Sequence, residues 1–340
     1  MKLKGITYKF ILAILSVALF FGTLEIALRF IKFHVNQTNG YFKFACFHFI
    51  SDKYNVPIGQ KDPYLFWRND RYEYFRGRHH PLVKPKDTFR IICMGDSTTQ
   101  GFLLRRSLPP FNEAYPYMLE ELFHKNNMKN FEVINAGTGG YTSFQGLRFL
   151  KRDLLNYDPD LLIIWFGTND VANAIFFSDK EQKTQDKTIA KVDTFLSRSK
   201  FCQLYRQALF RLMYYLTQEI GSKKRVSAED YCCNLKEMAN LAKEKGIIPV
   251  FIIPFIRTDS QVLSFKVINS CKEYAKIFSE FLDNGVVVID LSLMFKDKGD
   301  LDSYFIDVCH LTFKGNKAVS EIIYDTLIDK GIISNIKEGD

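Results

Sequence analysis

Apolar residues follow two different periods along this chain. From residue 89 onward, short runs rich in Ile, Leu and Phe alternate with longer segments in which apolar residues recur every three or four positions. Such alternation is typical of a parallel sheet whose two faces are covered by helices. The pattern predicts strands over residues 89–94, 131–135, 161–166, 247–253 and 286–290, and helices over residues 113–125, 143–155, 227–245, 261–282 and 315–330.

The amino-terminal segment has a different pattern, since residues 6–28 are apolar on all sides and carry only Lys9 and Glu25 as charges. A membrane-spanning helix needs about 20 apolar residues, so this segment fits a signal peptide or an uncleaved signal anchor. No small-residue cleavage site follows it, which favours the anchor. We therefore expect residues 1–33 to be a transmembrane signal anchor, with the following domain on the extracytoplasmic side, periplasmic or extracellular.

The rest of the chain divides into two predicted parts. Residues 34–88 are rich in aromatic residues and are broken by four prolines, so they are expected to form a connecting segment. The adjacent His79 and His80 are expected to lie in a solvated loop, because neighbouring side chains in an extended chain point in different directions. Residues 89–340 form the predicted α/β domain, in which residues 171–225 are an insertion.

Charge and cysteine content exclude several classes of function. The net charge of +8 is spread along the chain, and no dense Lys/Arg run marks a nucleic-acid surface. Seven cysteines show neither a CxxC pair nor a His/Cys spacing typical of zinc sites. We therefore expect no nucleic-acid partner, no zinc site, no disulfide framework and mostly free thiols.

Candidate chemistry is concentrated in four turns that follow predicted strands or precede the last helix. They are GDS at 95–97, NAGTGG at 135–140, GTND at 167–170 and DVCH at 307–310. A serine hydroxyl becomes a nucleophile when a histidine takes its proton and a carboxylate orients that histidine. Asp307 and His310 are three positions apart, so both side chains can lie on one side of a turn and face Ser97. The four turns together therefore predict a serine esterase.

Acyl transfer also needs hydrogen-bond donors for the oxyanion that forms during the reaction. Suitable donors are the backbone N–H of Ser97, a backbone N–H of a glycine in the second turn, and the side-chain amide of Asn169. Glycine suits the second turn because it allows the backbone to approach a substrate closely. The turn contains Gly137, Gly139 and Gly140, and the residues alone leave the choice between them open.

In their order and spacing, the four turns resemble the signature blocks of the SGNH hydrolases, a subgroup of the GDSL esterases and lipases. The resemblance covers residues from about 90 to the carboxyl terminus. It implies a flavodoxin-like three-layer α/β/α sandwich with a parallel sheet and without a metal or cofactor. It also implies catalytic roles for Ser97, Asp307 and His310 and an oxyanion hole formed by Ser97, Gly140 and Asn169.

The substrate class follows less directly from the residues. An extracytoplasmic esterase of this kind is expected to remove an acyl group, such as acetyl, from a cell-envelope or exported carbohydrate or from another small ester. An O-acyltransferase would use the same acyl-enzyme, and a lipase or phospholipase would need an apolar channel, for example near Trp67 or Phe210. A non-enzymatic binding domain is disfavoured because it would not need the complete set of catalytic residues. The oligomeric state is not predicted.

Overall fold

The structure is a computed structural model of the 340-residue chain. It describes residues 2–31, 50–51, 56–57, 60–62, 64–68, 74–75, 78–101, 113–174, 178–182, 192, 195–196, 198–205, 208, 212, 223–257, 273–283, 286–295 and 300–333. Two compact units make up the chain, one formed by Met1–His48 with Thr184–Gly221 and the other by Phe49–Lys183 with Ser222–Asp340.

The amino-terminal unit contains helix α1, Lys2–Phe30. Within it, Tyr8–Phe30 is long and apolar enough to cross a membrane. Its large apolar side chains are exposed, which distinguishes it from a helix in a protein core. This helix fits the predicted transmembrane segment, either as an anchor or as a signal sequence.

A five-stranded parallel sheet lies at the centre of the second unit. Its spatial order is β8-β7-β9-β10-β11, so the first strand of the sheet lies between the second and the third. This is the strand order of flavodoxin-like folds, and it confirms the predicted fold class. The strands are β7 Phe89–Gly95, β8 Phe131–Asn135, β9 Leu161–Trp165, β10 Ile248–Ile252 and β11 Val287–Ile289.

Short antiparallel hairpins precede this sheet in the chain. They pair β1 Ile50–Ser51 with β2 Val56–Pro57, β3 Gln60–Asp62 with β4 Phe66–Arg68, and β5 Tyr74–Phe75 with β6 Arg78–His79. The sequence pattern did not predict them, because two- and three-residue strands are too short to show a period.

Helices cover both faces of the sheet. Side chains alternate along each strand, so that Ile91 and Cys93 of β7 belong to a core shared with helices α3 and α8, whereas Ile92 and Met94 are buried on the opposite face. Helices α4 and α5 pack together, and α5 lies against β10. The helices are α2 Ser97–Gln100, α3 Tyr115–Lys125, α4 Ser143–Arg152, α5 Ala228–Glu244, α6 Phe278–Asp283, α7 Leu291–Phe295 and α8 Phe313–Asp329.

Most predicted element bounds agree with the structure to within one or two residues. Helix α4 is the main exception, because it ends at Arg152 and is followed by a separate 3-10 turn, Leu154–Tyr157, where a helix through residue 155 was expected. For the helix predicted over 261–282, the first part lies outside the described residues. Its described part is interrupted by a turn at Ile277 before α6.

One expectation about the connecting segment is wrong. His79 is exposed, but His80 is buried, and its Nδ1 lies 2.6 Å from Glu132 Oε1. The same carboxylate accepts a 2.6 Å hydrogen bond from Arg90 Nε, and Arg90 is fully buried near the amino end of β7. Pairing with one another lowers the cost of burying these polar groups. Adjacent histidines therefore differ in environment, as two neighbours in an extended chain should.

Candidate active site

Ser97 lies directly beyond the carboxyl end of β7, as the first residue of the short helix α2. Asp96 caps this helix by accepting a 2.8 Å hydrogen bond from the backbone N–H of Thr98. A side chain at Gly95 would approach Thr99 Oγ1 to 2.2 Å and the backbone oxygen of Trp165 to 2.6 Å. Glycine is therefore required for the tight turn that presents the Ser97 hydroxyl.

The structure brings Ser97, His310 and Asp307 together in one chain of hydrogen bonds. His310 Nε2 lies 2.8 Å from Ser97 Oγ, and His310 Nδ1 lies 2.7 Å from Asp307 Oδ2. All three side chains are half-buried. The loop that carries Asp307 and His310 is closed by a 2.8 Å hydrogen bond from Ile306 N to the backbone oxygen of His310.

Hydrogen bonds determine the protonation of the Asp307–His310 pair. Burial by itself would raise the pKa of the Asp307 carboxyl, but hydrogen bonds from the His310 ring and from the backbone N–H groups of Cys309 and His310 lower that pKa to about 2. The carboxylate is therefore ionised and can only accept hydrogen bonds. Nδ1 of His310 consequently carries the proton, and Nε2 is the acceptor for the hydrogen of the Ser97 hydroxyl.

The glycines of the second turn differ in what their backbone N–H groups contact. Gly137 N–H donates to Asn135 Oδ1 at 3.0 Å, so this donor is already used. The N–H groups of Gly139 and Gly140 meet no acceptor among the described residues. Gly140 has a φ of 80°, and a Cβ placed on Gly139 would lie 3.9 Å from Ser97 Cβ. The structure thus leaves Gly139 and Gly140 as candidate donors beside Ser97.

A buried ion pair stabilises the second turn at Gly140. Arg225 Nη1 donates to the backbone oxygen of Gly140 at 2.9 Å, while its Nε and Nη2 donate to Asp179 Oδ1 and Oδ2 at 3.1 and 2.8 Å. Asp179 also accepts a 2.7 Å hydrogen bond from Thr142 Oγ1. Both partners are buried, and two parallel hydrogen bonds between guanidinium and carboxylate fix their geometry. The peptide unit that follows Gly140 is therefore anchored to a rigid pair.

The aromatic connecting segment covers the same turn. Trp67 Nε1 donates to the backbone oxygen of Gly139 at 3.3 Å, and the Tyr141 hydroxyl donates to the backbone oxygen of Trp67 at 2.5 Å. Their rings meet edge to face, with centroids 5.5 Å apart. Strand β4 thereby packs over residues 139–141.

Asn169 joins the first three turns through its side-chain amide. Asn169 Nδ2 donates to the backbone oxygen of Tyr141 at 3.1 Å and to Asp96 Oδ2 at 3.3 Å. An asparagine amide has two N–H bonds, so each is directed at a neighbouring turn. The side chain is half-buried on the Ser97 side of the sheet, between Asp96 and Tyr141.

Sequence comparison places the chain in a known family. Residues 93–318, well over half of the chain, match the profile of the GDSL-like lipase/acylhydrolase family. The chain belongs to this family. It is therefore an ester-hydrolysing enzyme, and the resemblance read from the four turns is confirmed. No curated protein matches the chain significantly in sequence.

Several solved structures are similar to this GDSL-like acylhydrolase. A catalytic mutant of an acetylxylan esterase from Geobacillus stearothermophilus matches with a TM-score of 0.49 and 15% identity, over 72% of this chain and 96% of that one. A lipase/acylhydrolase from Enterococcus faecalis gives 0.47 and 16%, over 72% and 97%. A GDSL-like lipase from Bacteroides thetaiotaomicron gives 0.45 and 17%, over 73% and 92%.

Asp170 of the GDSL-like enzyme lies next to Asn169 but is fully buried. It accepts hydrogen bonds from Ser143 N at 2.9 Å and from Ser143 Oγ at 2.5 Å, at the first residue of α4. Burial raises the pKa of the Asp170 carboxyl to about 7, although the hydrogen bonds from Ser143 oppose this shift. Asp170 thus connects the Asn169 turn to the start of a helix.

One group of side chains in the described part of the enzyme has donor atoms close enough to hold a metal ion. The donor atoms of Asp307, Cys309 and His310 lie within 4.8 Å of one another, and Cys309 Sγ is 3.7 Å from His310 Nδ1. However, Asp307 Oδ2 and His310 Nδ1 already bond each other, so an ion would have to displace that hydrogen bond. Cys309 is buried and packs against the histidine ring.

Sequence reasoning missed Arg225 and Asp179. Both fall in the segment that was interpreted as an insertion, where no turn or motif marks them. A signal that could have found them is the placement of an Arg and an Asp at the two ends of that segment. A backbone hydrogen bond from Asp179 N to the Arg225 oxygen, 2.8 Å long, shows that those ends meet.

We expect Asp170→Asn to change the pH dependence of stability. A carboxyl whose pKa is raised in the folded state binds more protons folded than unfolded, so stability is lost as the pH rises. For Asp170 the loss falls between about pH 4 and pH 7, with a slope of at most about 1.4 kcal/mol per pH unit. The measurement is the urea unfolding free energy of wild type and variant across this range.

Asp325→Asn, at an exposed position of α8, is the matched control and should follow the wild type. Parallel pH profiles for wild type and Asp170→Asn would contradict the expectation.

Proposed function

We propose that this enzyme is a serine esterase in which Ser97 is the nucleophile, His310 the general base and Asp307 the residue that orients the histidine. The observation that carries this proposal is the continuous hydrogen-bond chain from Ser97 Oγ through the His310 ring to the ionised Asp307. The chemistry of an acylhydrolase requires such a set, because a free serine hydroxyl is a weak nucleophile.

The reaction then proceeds in two halves. Ser97 Oγ attacks the ester carbonyl while His310 Nε2 takes its proton, and His310 returns that proton to the departing alcohol. Water attacks the resulting acyl-enzyme with the same histidine acting as base, which releases the acid and restores Ser97. Asp307 remains ionised and stabilises the charged imidazole in both halves.

The oxyanion hole is proposed to consist of the backbone N–H groups of Ser97 and Gly140 with the side-chain amide of Asn169. Neither of the two backbone donors meets an acceptor within the described residues, so both are available to a substrate oxygen. Gly139 is the alternative donor in the second turn. Asn169 Nδ2, which is held in place by Tyr141 and Asp96, would share one of its N–H bonds with the oxyanion.

A small acyl group is the proposed portion that is transferred to Ser97, with acetyl on a carbohydrate as the favoured case. Some of the described residues near Ser97 are polar or lack a side chain. They include Gly139, His310 and Gln100, whose Oε1 would lie 2.7 Å from a Cβ on Gly139. Such surroundings suit a short acyl group beside hydroxyl-rich material better than a long lipid chain, which needs an extended apolar lining.

The enzyme is proposed to be anchored by α1 with its catalytic unit on the extracytoplasmic side. Tyr8–Phe30 is sufficient in length for a span, and long domains that follow a signal anchor are translocated largely regardless of flanking charge. This side of the membrane gives access to cell-envelope and exported carbohydrate.

We expect full-length enzyme to hydrolyse p-nitrophenyl acetate faster than long-chain esters. In the Ser97→Ala variant, kcat should fall roughly 1,000-fold or more, because the acyl-enzyme cannot form. The measurement is a stopped-flow burst of p-nitrophenol at high enzyme concentration. Ser292→Ala, an exposed serine on α7, is the matched control and should keep the burst.

An unchanged burst in Ser97→Ala would remove Ser97 as the nucleophile. If the acyl group of the acyl-enzyme is transferred to an added sugar hydroxyl rather than to water, the enzyme is an O-acyltransferase. A preference for long acyl chains would instead favour a lipase.

We expect Arg225→Lys to lower kcat by roughly 10- to 100-fold with little change in KM, because a displaced oxyanion donor weakens binding of the transition state more than binding of the substrate. Lysine keeps the charge but has a single nitrogen, so it cannot reproduce the planar arrangement in which three separate nitrogens of Arg225 reach Asp179 and Gly140. The measurement is steady-state kinetics on p-nitrophenyl acetate.

Arg90→Lys is the matched control, since it alters an equally buried ion pair near the amino end of β7, away from Ser97. Equal losses of kcat in the two variants, or an effect on KM alone, would show that Arg225 has only a structural role.

We expect the catalytic unit to be digested when protease is added to spheroplasts or intact cells, while a cytosolic marker stays protected. The readout is immunoblotting with a carboxyl-terminal tag, with detergent-permeabilised cells as the positive control. A catalytic unit that is protected in intact cells and digested only after permeabilisation would place it on the cytoplasmic side.

A further inference from the structure

The amino-terminal unit contains a carboxylate within its apolar helix. Glu25 lies five residues before the end of the candidate span, Tyr8–Phe30. A charged side chain in a membrane helix is costly unless it reaches the interface or is paired. The groups that donate hydrogen bonds to the Glu25 carboxylate therefore show what surrounds this end of the helix.

Four donors surround the Glu25 carboxylate. Arg29 Nε donates to it at 2.7 Å from the next turn of the same helix. The other three come from residues 199–201, namely Ser199 Oγ at 2.8 Å, Lys200 N at 3.0 Å and Phe201 N at 2.9 Å. Donors from a segment far away in sequence thus satisfy a charge that would otherwise be exposed to lipid.

These contacts place a second helix at the end of the first. Residues 200–205 are helical, and Ser199 caps them by accepting a hydrogen bond from Cys202 N at 3.2 Å. A carboxylate at a helix amino terminus is favourable because the first N–H groups lack partners within the helix. Phe21 of α1 also packs on Phe201, with ring centroids 4.6 Å apart. The start of the second helix is therefore fixed to the last turns of α1.

The same segment exposes apolar side chains at helical spacing. Val192, Phe195 and Leu196 are 54%, 71% and 40% exposed and stand at positions i, i+3 and i+4. Tyr205 and Leu212 are 57% and 55% exposed. Large apolar residues that recur on one helix face need a partner that removes them from water.

Basic residues accompany this apolar face. Arg198 and Lys200 lie on either side of Ser199 in the chain. Apolar and aromatic residues with Lys and Arg nearby are the composition of helices that lie in the plane of a membrane surface. Tyrosine is also enriched at that depth, because its ring is apolar and its hydroxyl is polar.

We propose that the described residues of this segment, 192, 195–196, 198–205, 208 and 212, form an interfacial element that lies on the surface of a phospholipid bilayer, beside the point where α1 leaves it. The proposal rests on the proposed membrane anchor, since α1 defines the bilayer. Glu25 lies within about 8 Å of the end of α1, which is the depth of the headgroup region. The apolar face would enter the bilayer to about 5–10 Å, and the basic residues would meet lipid phosphates.

The test uses full-length enzyme in vesicles of phosphatidylcholine and phosphatidylglycerol that contain brominated lipid, which quenches nearby tryptophan. Phe195→Trp reports on the interfacial element, and Phe20→Trp, at an exposed position of α1, reports on the span. Val83→Trp is the matched control, because Val83 is 84% exposed in the other unit. The native Trp67 and Trp165 are buried and give a constant background that the wild type measures.

We expect a roughly twofold loss of the added emission for Phe195→Trp, greater with bromine near the headgroup than with bromine deep in the chain. Phe20→Trp should be quenched best by deep bromine, and Val83→Trp should not be quenched. If Phe195→Trp is no more quenched than Val83→Trp while Phe20→Trp is quenched, the apolar face is covered by protein, such as a second copy, and the proposal is wrong. If Phe20→Trp is not quenched either, the anchor itself is wrong, and the interfacial element with it.

Discussion

The parallel pairing of β7 between β8 and β9 is the constraint on which the candidate site depends. The register pairs Cys93 with Asn135 on one side and Gly95 with Trp165 on the other, so the strands end at nearly the same level. Each strand continues directly into a turn rich in glycine or polar residues. Because the carboxyl ends of parallel strands meet at one edge, those turns meet around Ser97. His310, which is 213 positions away from Ser97, is then supplied by the loop before α8.

Buried carboxylates keep these turns in place. Asp96 accepts hydrogen bonds from the backbone N–H of Thr98 and from the side-chain amide of Asn169. Asp170 accepts a hydrogen bond from the Ser143 hydroxyl. Asp179 accepts hydrogen bonds from Thr142 and Arg225. Burial raises the pKa values of Asp96 and Asp170, which shows that burial is costly for these carboxylates. Catalysis by oriented dipoles requires donors that do not reorganise during the reaction, and rigid polar turns meet this requirement.

The amino-terminal unit follows the same physical rule in a different setting. Glu25 is tolerated in an apolar helix because donors from residues 199–201 and from Arg29 satisfy it. A helix that is only a cleavable signal would not need these partners from a distant segment. The pairing therefore favours the proposed membrane anchor over a cleavable signal.

The amino-acid sequence by itself determined the order of strands and helices, the family, and the four turns that carry Ser97, Gly140, Asn169 and the Asp307–His310 pair. Those features are local, since they depend on the period of apolar residues and on glycine and polar residues at strand ends. Only the tertiary structure decided that Arg225 and Asp179 support Gly140, that His80 is buried while His79 is exposed, and that Gly137 is already bonded. Some of these features depend on partners that are far apart in sequence, and others depend on which side of a short extended segment is covered. Neither kind of dependence leaves a periodic signal in the chain.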